Sequence, residues 1–413
     1  MNALIGLANS GKIINDPVFG FINIPGGFLY DIVQHPVFQR LHRIKQLGVS
    51  SYVYPGAQHT RMQHSLGAMH LTAEAVKQLR SKGHVITPAE EEGVLAAILL
   101  HDTGHGPFSH VLEHTVIPSV SHEEISRVLM ERIDAEMGGR LRTAISIFND
   151  TYPKRFLHQL VSSQLDMDRL DYLRRDSFFT GVVEGSIGAA RIIKMLNVWN
   201  DTLVVEAKGI YSIENFLVAR RFMYWQVYLH KTSVAVERML VNILRRAREL
   251  MRGGLELFAS PALMYFLKND VTREEFMSGG DALESFLALD DSDIISAIKV
   301  WRSADDKVLS TLCSGFIDRR LFKAMRCDEG TEVCEDEWSR RYQEVLGVDS
   351  VLARYFFSVD TVSSKAYSPD ADDRILILYN DGTIKDIATA SDMLDVDVLR
   401  SRAEKRYLFY MPV

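Results

Sequence analysis

The sequence predicts a mainly α-helical fold with a smaller α+β lobe at its C-terminal end. Three observations carry that expectation. Apolar residues recur at helical spacing through roughly the first 250 residues. The last ninety or so switch to short alternating runs bounded by turn residues. And 47% of the 413 residues are apolar against 24% charged, the balance of a globular chain rather than a disordered or fibrous one.

Taken in order, Lys12–Pro25 alternates apolar and turn residues around Asn15, Asp16, Pro17 and Gly20, and reads as a short hairpin. From Leu29 to Leu47 the spacing of Ile32, Phe38, Leu41 and Ile44 is helical. Met62–Leu79, Pro88–His101, Glu123–Ala135 and Phe156–Asp176 read as further helices, and Ser212–Met251 as a long pattern divisible into two. Ala282–Leu289, Ser292–Lys299 and Lys307–Ala324 complete the helical part. Arg326–Glu337, polar and acidic, reads as a seam dividing the chain into 1–325 and 326–413. Beyond it Ser350–Ser358, Arg374–Tyr379 and Lys385–Ala388 read as strands. Asn380, Asp381 and Gly382 form a hairpin turn between the last two, because Asp-Gly accepts the positive φ angles such turns need.

Charge and composition exclude several functions. Forty-seven basic residues against 54 acidic give a net charge of −7, so no global basic field for nucleic acid exists. Arg220–Lys231 interleaves bases and aromatics as single-strand binders do, but its helical period assigns one face to core and one to a site. The longest apolar run, Gly93–Leu100, is far short of the roughly 20 residues of a membrane helix. Met1–Ser10 lacks the basic segment of a secretory signal. Cys313, Cys327 and Cys334 form no disulfide framework, and a cytoplasmic location is expected.

The chemistry concentrates in one segment. An apolar helix ends in His101 and Asp102, followed by a Gly- and Pro-containing turn that bears His105 and His110. Burying imidazoles and a carboxylate without partners is costly, and a divalent metal removes that cost. His64 and Asp168 are candidates to complete the sphere. Asp168, Tyr172 and Asp176 lie four residues apart on one helical face, which makes poor core and good site lining. Two histidines and two aspartates leave positions open for water and substrate. Eight of the 13 histidines fall between His64 and His122. A lone histidine is more often a satisfied core or surface residue, and Asp168 alone could be a solvated helix residue, so the combination is what points to metal.

The order His64, His101-Asp102, Asp168 resembles that of the HD-domain metal-dependent phosphohydrolases. Asn15 to Pro17, Pro36 to Leu41, Ile44 to Gly48, Tyr54 to Ala57, His64 to Gly67 and His101 to His110 narrow the resemblance further. They are similar to the deoxynucleoside triphosphate (dNTP) triphosphohydrolases, the branch related to the animal enzyme that joins a sterile alpha motif to an HD domain. The resemblance runs from about Lys12 into the last strands. It implies an HD-domain helical core and a divalent ion (Fe, Mn, Ni, Zn or Mg) on His64, His101, Asp102 and Asp168, with magnesium also on the nucleotide. The reaction it implies releases triphosphate by attack of water at the α-phosphorus.

By the same resemblance His105 and His122 contact the α-phosphate, and His110 protonates the leaving oxygen with Glu113 beside it, where the family carries Asp. Gln46 and Asp176 match the positions that bond the sugar 3′-hydroxyl, and Tyr228 the ring that excludes a 2′-hydroxyl. Arg61, Arg169, Arg220 and Lys231 match cations around the triphosphate, with Arg169 standing where the family has Lys. A homo-oligomer, dimer or tetramer, follows from the relatives. Lys12, Asn15, Arg319 and Lys323 match an inter-subunit nucleotide site, but Gln34 replaces a guanine-reading Asp and His42 a phosphate-binding Arg. Activation by a guanine nucleotide is therefore in doubt, and another nucleotide activator, or none, is as compatible with the sequence. Two other readings stand beside this one: a different HD hydrolase (nucleotide monophosphatase, phosphodiesterase or single-strand nuclease), and a nucleic-acid-binding or assembly protein with a structural metal.

Overall fold

The computed structural model describes residues 11–108, 120–327, 333–364, 367, 374–393 and 403–412. The hairpin forms as expected: strands β1 (Lys12–Asp16) and β2 (Gly20–Ile24) pair antiparallel with Ile14 opposite Ile22. Asp16 stops the first strand by accepting the backbone N–H groups of Val18 and Phe19 at 2.9 and 3.0 Å. Ile22 and Ile24 enter the core, whereas Ile13 and Phe21 face solvent.

Helix Pro88–Leu100 is apolar on every side from Val94 onward, and is correspondingly enclosed by helices Arg61–Ser81 and Arg142–Phe148. Its start was legible: Thr87 and Glu90 form a capping box with Pro88 at the first helical position. Ser121 and Glu124 do the same for His122–Glu136.

Four expected elements change in the structure. Leu29–Leu47 is not one helix but Phe28–Gln34, Pro36–Gln39 and a 3-10 turn Arg40–Arg43, because His35, preceding Pro36, is extended (φ −64°, ψ 136°). Phe156–Asp176 divides into Arg155–Val161 and Met167–Thr180, since the Asp166 carboxylate accepts the Arg169 N–H at 2.6 Å and caps a new start. The helix expected over Lys307–Ala324 stops at Ile317, followed by Arg319 at φ 58°. Ser350–Ala353 is helical, capped by Asp349, so the strand expected from Ser350 begins at Phe357. The long pattern over Ser212–Met251 divides, as expected, into Ile210–Met223 and Lys231–Arg252, joined by a π-helical turn Tyr224–Tyr228.

Strands β3 (Leu196–Trp199) and β4 (Thr202–Glu206) were not expected; Asn200 and Asp201, at φ 44° and 62°, make the turn between them. The remaining strands are β5 (Lys323–Cys327), β6 (Phe357–Ser364), β7 (Leu376–Leu378), β8 (Ile384–Asp386) and β9 (Ala403–Tyr410). They order as β3-β4-β7-β8, with β4 and β7 parallel, and as β5-β9-β6. Between β7 and β8 Gly382 takes φ 84°, as the Asp-Gly turn required. A division at 325/326 falls inside β5, and both larger sheets combine strands from its two sides. The acidic seam also contains the start of helix Glu335–Leu346. Among the described residues no helix is long and apolar enough to cross a membrane.

Candidate metal centre and active site

Three helices deliver one cluster. Arg61–Ser81 carries His64 in its first turn, Pro88–Leu100 ends at His101 and Asp102, and Met167–Thr180 carries Asp168 in its first turn. Their ligand atoms converge: Asp168 Oδ1 lies 3.0 Å from His64 Nε2 and 3.5 Å from His101 Nε2, and the two Nε2 atoms are 3.4 Å apart. Two ligands each about 2.1 Å from one ion would be separated by roughly 3.0–3.4 Å at octahedral to tetrahedral angles. The donor set therefore fits a divalent first-row ion. Among the described residues His64, His101 and Asp168 are the group whose donors all lie within 4.8 Å of one another.

Asp102, expected as a fourth ligand, stands at the rim. Its carboxylate is 3.5 Å from His101 Nε2 and 3.9 Å from His64 Nε2, while Oδ2 accepts from Arg61 Nη1 at 2.6 Å. Arg61, expected on the triphosphate, forms a buried ion pair with Asp102 at the edge of the cluster.

The orientation of both imidazoles is fixed from behind. His101 Nδ1 donates to the Ile98 carbonyl at 2.6 Å, and His64 Nδ1 donates to Asp171 Oδ2 at 2.7 Å, which leaves each Nε2 aimed at the cluster. Arg175 grips Asp171 with Nε and Nη2 at 2.9 and 3.0 Å, and its Nη1 donates to Asp16 Oδ2 at 2.7 Å. A buried relay therefore runs from the hairpin tip to the ligand. Gly67 makes room for it: a Cβ there would sit 2.0 Å from Asp171 Oδ1. Burial opposes a charge on His64, but Asp168 and Asp171 outweigh it and raise its pKa to about 10, so a bound cation must displace a proton. Burial likewise opposes ionisation of Asp168, yet His101 and His64 hold its carboxyl well below the usual range. Removing the relay with Asp171→Ala should weaken metal affinity about 10- to 100-fold. Titration of metal-stripped protein with Mn²⁺ would show it, and an unchanged Kd would take Asp171 out of that role.

His105 is buried beside Asp102, with Nε2 3.2 Å from Oδ1, and stacks on the partly exposed His122 at 3.9 Å between centroids. Burial, followed by the charge of Arg61, pushes the His105 pKa down to about 3. His110 and Glu113 lie outside the described residues.

A second group forms next to the first. Asp176 accepts from Tyr228 Oη at 2.7 Å on one oxygen and from His59 Nε2 at 2.7 Å on the other. Tyr172 meets Tyr228 edge-on at 5.9 Å and lies 6.5 Å from the His64 ring. The Gln46 N–H donates to the His59 carbonyl at 3.0 Å, and its side-chain Oε1 is buried with no partner among the described residues. Arg169 gives Nη1 to Asp166 at 2.6 Å, while its Nε and both Nε and Nη1 of Arg220, which lies over the Tyr224 ring, are buried without a partner among the described residues. Burial, then Tyr224, raises the Tyr172 pKa, with Arg169 and Arg220 opposing, which places both guanidinium groups around this phenol. Lys231 is exposed at the first position of its helix.

Sequence reasoning missed Asp171, Arg175 and His59. The i,i+4 spacing of Asp171 and Arg175 was readable as a helix ion pair. Its attachment to His64 was not. Of the residues matched to an inter-subunit site, Lys12, Asn15 and Lys323 are exposed on β1 and β5, and Arg319 donates to the Tyr52 carbonyl.

The HD domain family model matches residues 61–176, and the model of an HD associated region matches 187–270. The chain is 31% identical to the uncharacterized protein YwfO of Bacillus subtilis (strain 168), over 98% of this chain and 93% of that one. It is 28% identical to the deoxynucleoside triphosphate triphosphohydrolase SAMHD1 of Homo sapiens, over 61% of this chain and 48% of that protein. A solved phosphohydrolase from Bacteroides thetaiotaomicron VPI-5482 superposes with a TM-score of 0.94 at 62% identity, covering 98% of this chain and 100% of that one.

Proposed function

The chain belongs to the HD-domain phosphohydrolase family, in the group related to the dNTP triphosphohydrolases, and on that premise we propose that it hydrolyses dNTPs to deoxynucleoside and triphosphate. The observation that carries this reading is the pairing of two unlike half-sites. Beside the metal-type cluster, buried guanidinium N–H groups of Arg169 and Arg220 have no partner among the described residues, as a polyphosphate would require. Next to them, Asp176 joins Tyr228 and His59, whose carbonyl takes the Gln46 N–H, a polar group beside aromatic rings that suits a sugar.

A divalent ion on His64, His101 and Asp168, with Asp102 alongside, would supply Lewis acidity toward a phosphate oxygen and lower the pKa of water. The chain's own groups do the rest. Arg61 holds the Asp102 carboxylate in place. His105, held at Nε2 by Asp102 and stacked on His122, gains its second N–H when negative charge on a bound phosphate favours the imidazolium form, and that N–H serves the charge that builds in the transition state. Asp176 orients the Tyr228 hydroxyl and accepts from a sugar hydroxyl, and the Tyr228 ring leaves no room for a 2′-hydroxyl. Protonation of the departing 5′-oxygen is assigned to His110. Assembly as a dimer or tetramer belongs to the same proposal, with activation by a nucleotide other than a guanine nucleotide and no activation equally compatible with it.

Sugar discrimination tests this polar group. With manganese-loaded protein, kcat/KM for each dNTP should exceed that for the matching NTP by about tenfold or more, roughly 1.4 kcal/mol, and Tyr228→Ala should narrow the gap. Equal turnover of dNTPs and NTPs by the unaltered protein would remove the sugar site from the proposal.

A further inference from the structure

Arg40 is 1% exposed, and no carboxylate hydrogen-bonds to it among the described residues. Its guanidinium instead donates to three backbone carbonyls: Nη1 to His105 at 2.8 Å and to Thr103 at 3.3 Å, and Nε to Leu289 at 3.3 Å. The cation also lies over the Phe286 ring, 4.4 Å from its centroid. Burial, then Arg43, pushes its pKa down to about 9, so it stays charged at neutral pH. Asp290 and Asp291 act on it only from a distance, and a charge kept dry without a carboxylate bonded to it is costly to hold. Apolar residues of similar volume would fill the same space, so packing does not account for it.

What the charge holds is the turn that carries the chemistry. Thr103 and His105 belong to the loop from His101 to Phe108, and the other side of that loop is gripped as well. Ser126 Oγ donates to the His101 carbonyl at 2.6 Å and accepts the Gly104 N–H at 2.9 Å. A Cβ on Gly104 would lie 2.0 Å from the His122 carbonyl oxygen. The turn is thus clamped between Ser126 and Arg40, and it is Arg40 that bonds the carbonyl of His105 itself. We propose that Arg40 is a positioning residue, whose buried guanidinium holds the His101–His105 turn by its carbonyls and so sets Asp102 and His105 for the reaction. Two charge-assisted bonds from Nη1 to the turn and one from Nε to Leu289 use a planar fork in a way that a point charge on a flexible stem does not reproduce. Through Leu289, Arg40 also joins the turn to the end of helix Asp281–Ala288.

The proposal rests on the reading of Asp102 and His105 as site residues, and its test separates the two. Arg40→Met and Arg40→Lys would be made in the full chain and loaded with manganese. Hydrogen exchange would be followed in peptides covering 99–108, where the N–H groups of Thr103, Gly104 and His105 are all bonded. In Arg40→Met this peptide should exchange at least about tenfold faster, with helix Arg142–Phe148 unchanged and metal content kept. Its kcat should fall about 10- to 100-fold with KM moved less than about threefold, and Arg40→Lys should be intermediate in both. A uniform rise in exchange across the chain, with kcat per folded molecule unchanged, would make Arg40 merely structural and overturn the proposal. So would native exchange in the turn. Should Arg40→Met not fold, Arg40→Lys carries the same two readouts. If the unaltered protein hydrolyses no dNTP, the functional reading fails, while the exchange result still decides for or against Arg40.

Discussion

Asp168→Ala is expected to bring bound divalent metal down to the level of the buffer and to switch hydrolysis off. Asp168 supplies the anionic donor of the three-residue group, 3.0 and 3.5 Å from the two imidazole Nε2 atoms. Without it two imidazoles remain, with Asp102 at the rim and one of its oxygens on Arg61. Losing the metal forfeits several kcal/mol of transition-state stabilisation, and about 4 kcal/mol is already a 10³-fold loss in rate. Asp168→Asn keeps the shape and removes the charge, so it should fail nearly as badly. Elemental analysis alongside a rate assay checks both. A variant that kept its metal and its turnover would take Asp168 out of the ligand set.

His105→Ala should separate chemistry from metal binding. The ring sits outside the three-residue group, between Asp102 and His122. Its loss should leave metal content unchanged and lower kcat by about 10²–10³-fold, the usual cost of removing one donor to developing charge. His122→Ala should cost less, because that ring is partly exposed and contacts the turn from outside. Loss of metal together with rate in His105→Ala would instead place His105 in the coordination sphere.

Much of this architecture was written locally in the chain. Thr87 with Glu90, Ser121 with Glu124, and the Asp381-Gly382 turn announce their elements through their own side chains and φ angles. The breaks at His35 and at Asp166 carried signals too, a proline and a capping aspartate, but the apolar period ran on through both and masked them. The parallel pairing of Val205 with Ile377 joins residues far apart in sequence, and no local pattern predicts it.

The site divides the same way. His64, His101 and Asp168 were legible as residue types in a known order. Asp102 was legible too, though the structure sets it at the rim, against Arg61. Asp171, Arg175, His59 and Arg40 act through partners supplied by other elements, and Arg40 bonds to backbone carbonyls that every residue possesses. Such roles depend on tertiary placement, which residue type does not encode.

The most direct measurement is phosphorus NMR of the products when the manganese-loaded protein is given each dNTP, singly and in mixtures, with and without a chelator. The account predicts one phosphorus-containing product, inorganic triphosphate, in equal amount to the deoxynucleoside, and no reaction once the metal is chelated. Orthophosphate or pyrophosphate as the product, or turnover that survives chelation, would contradict it.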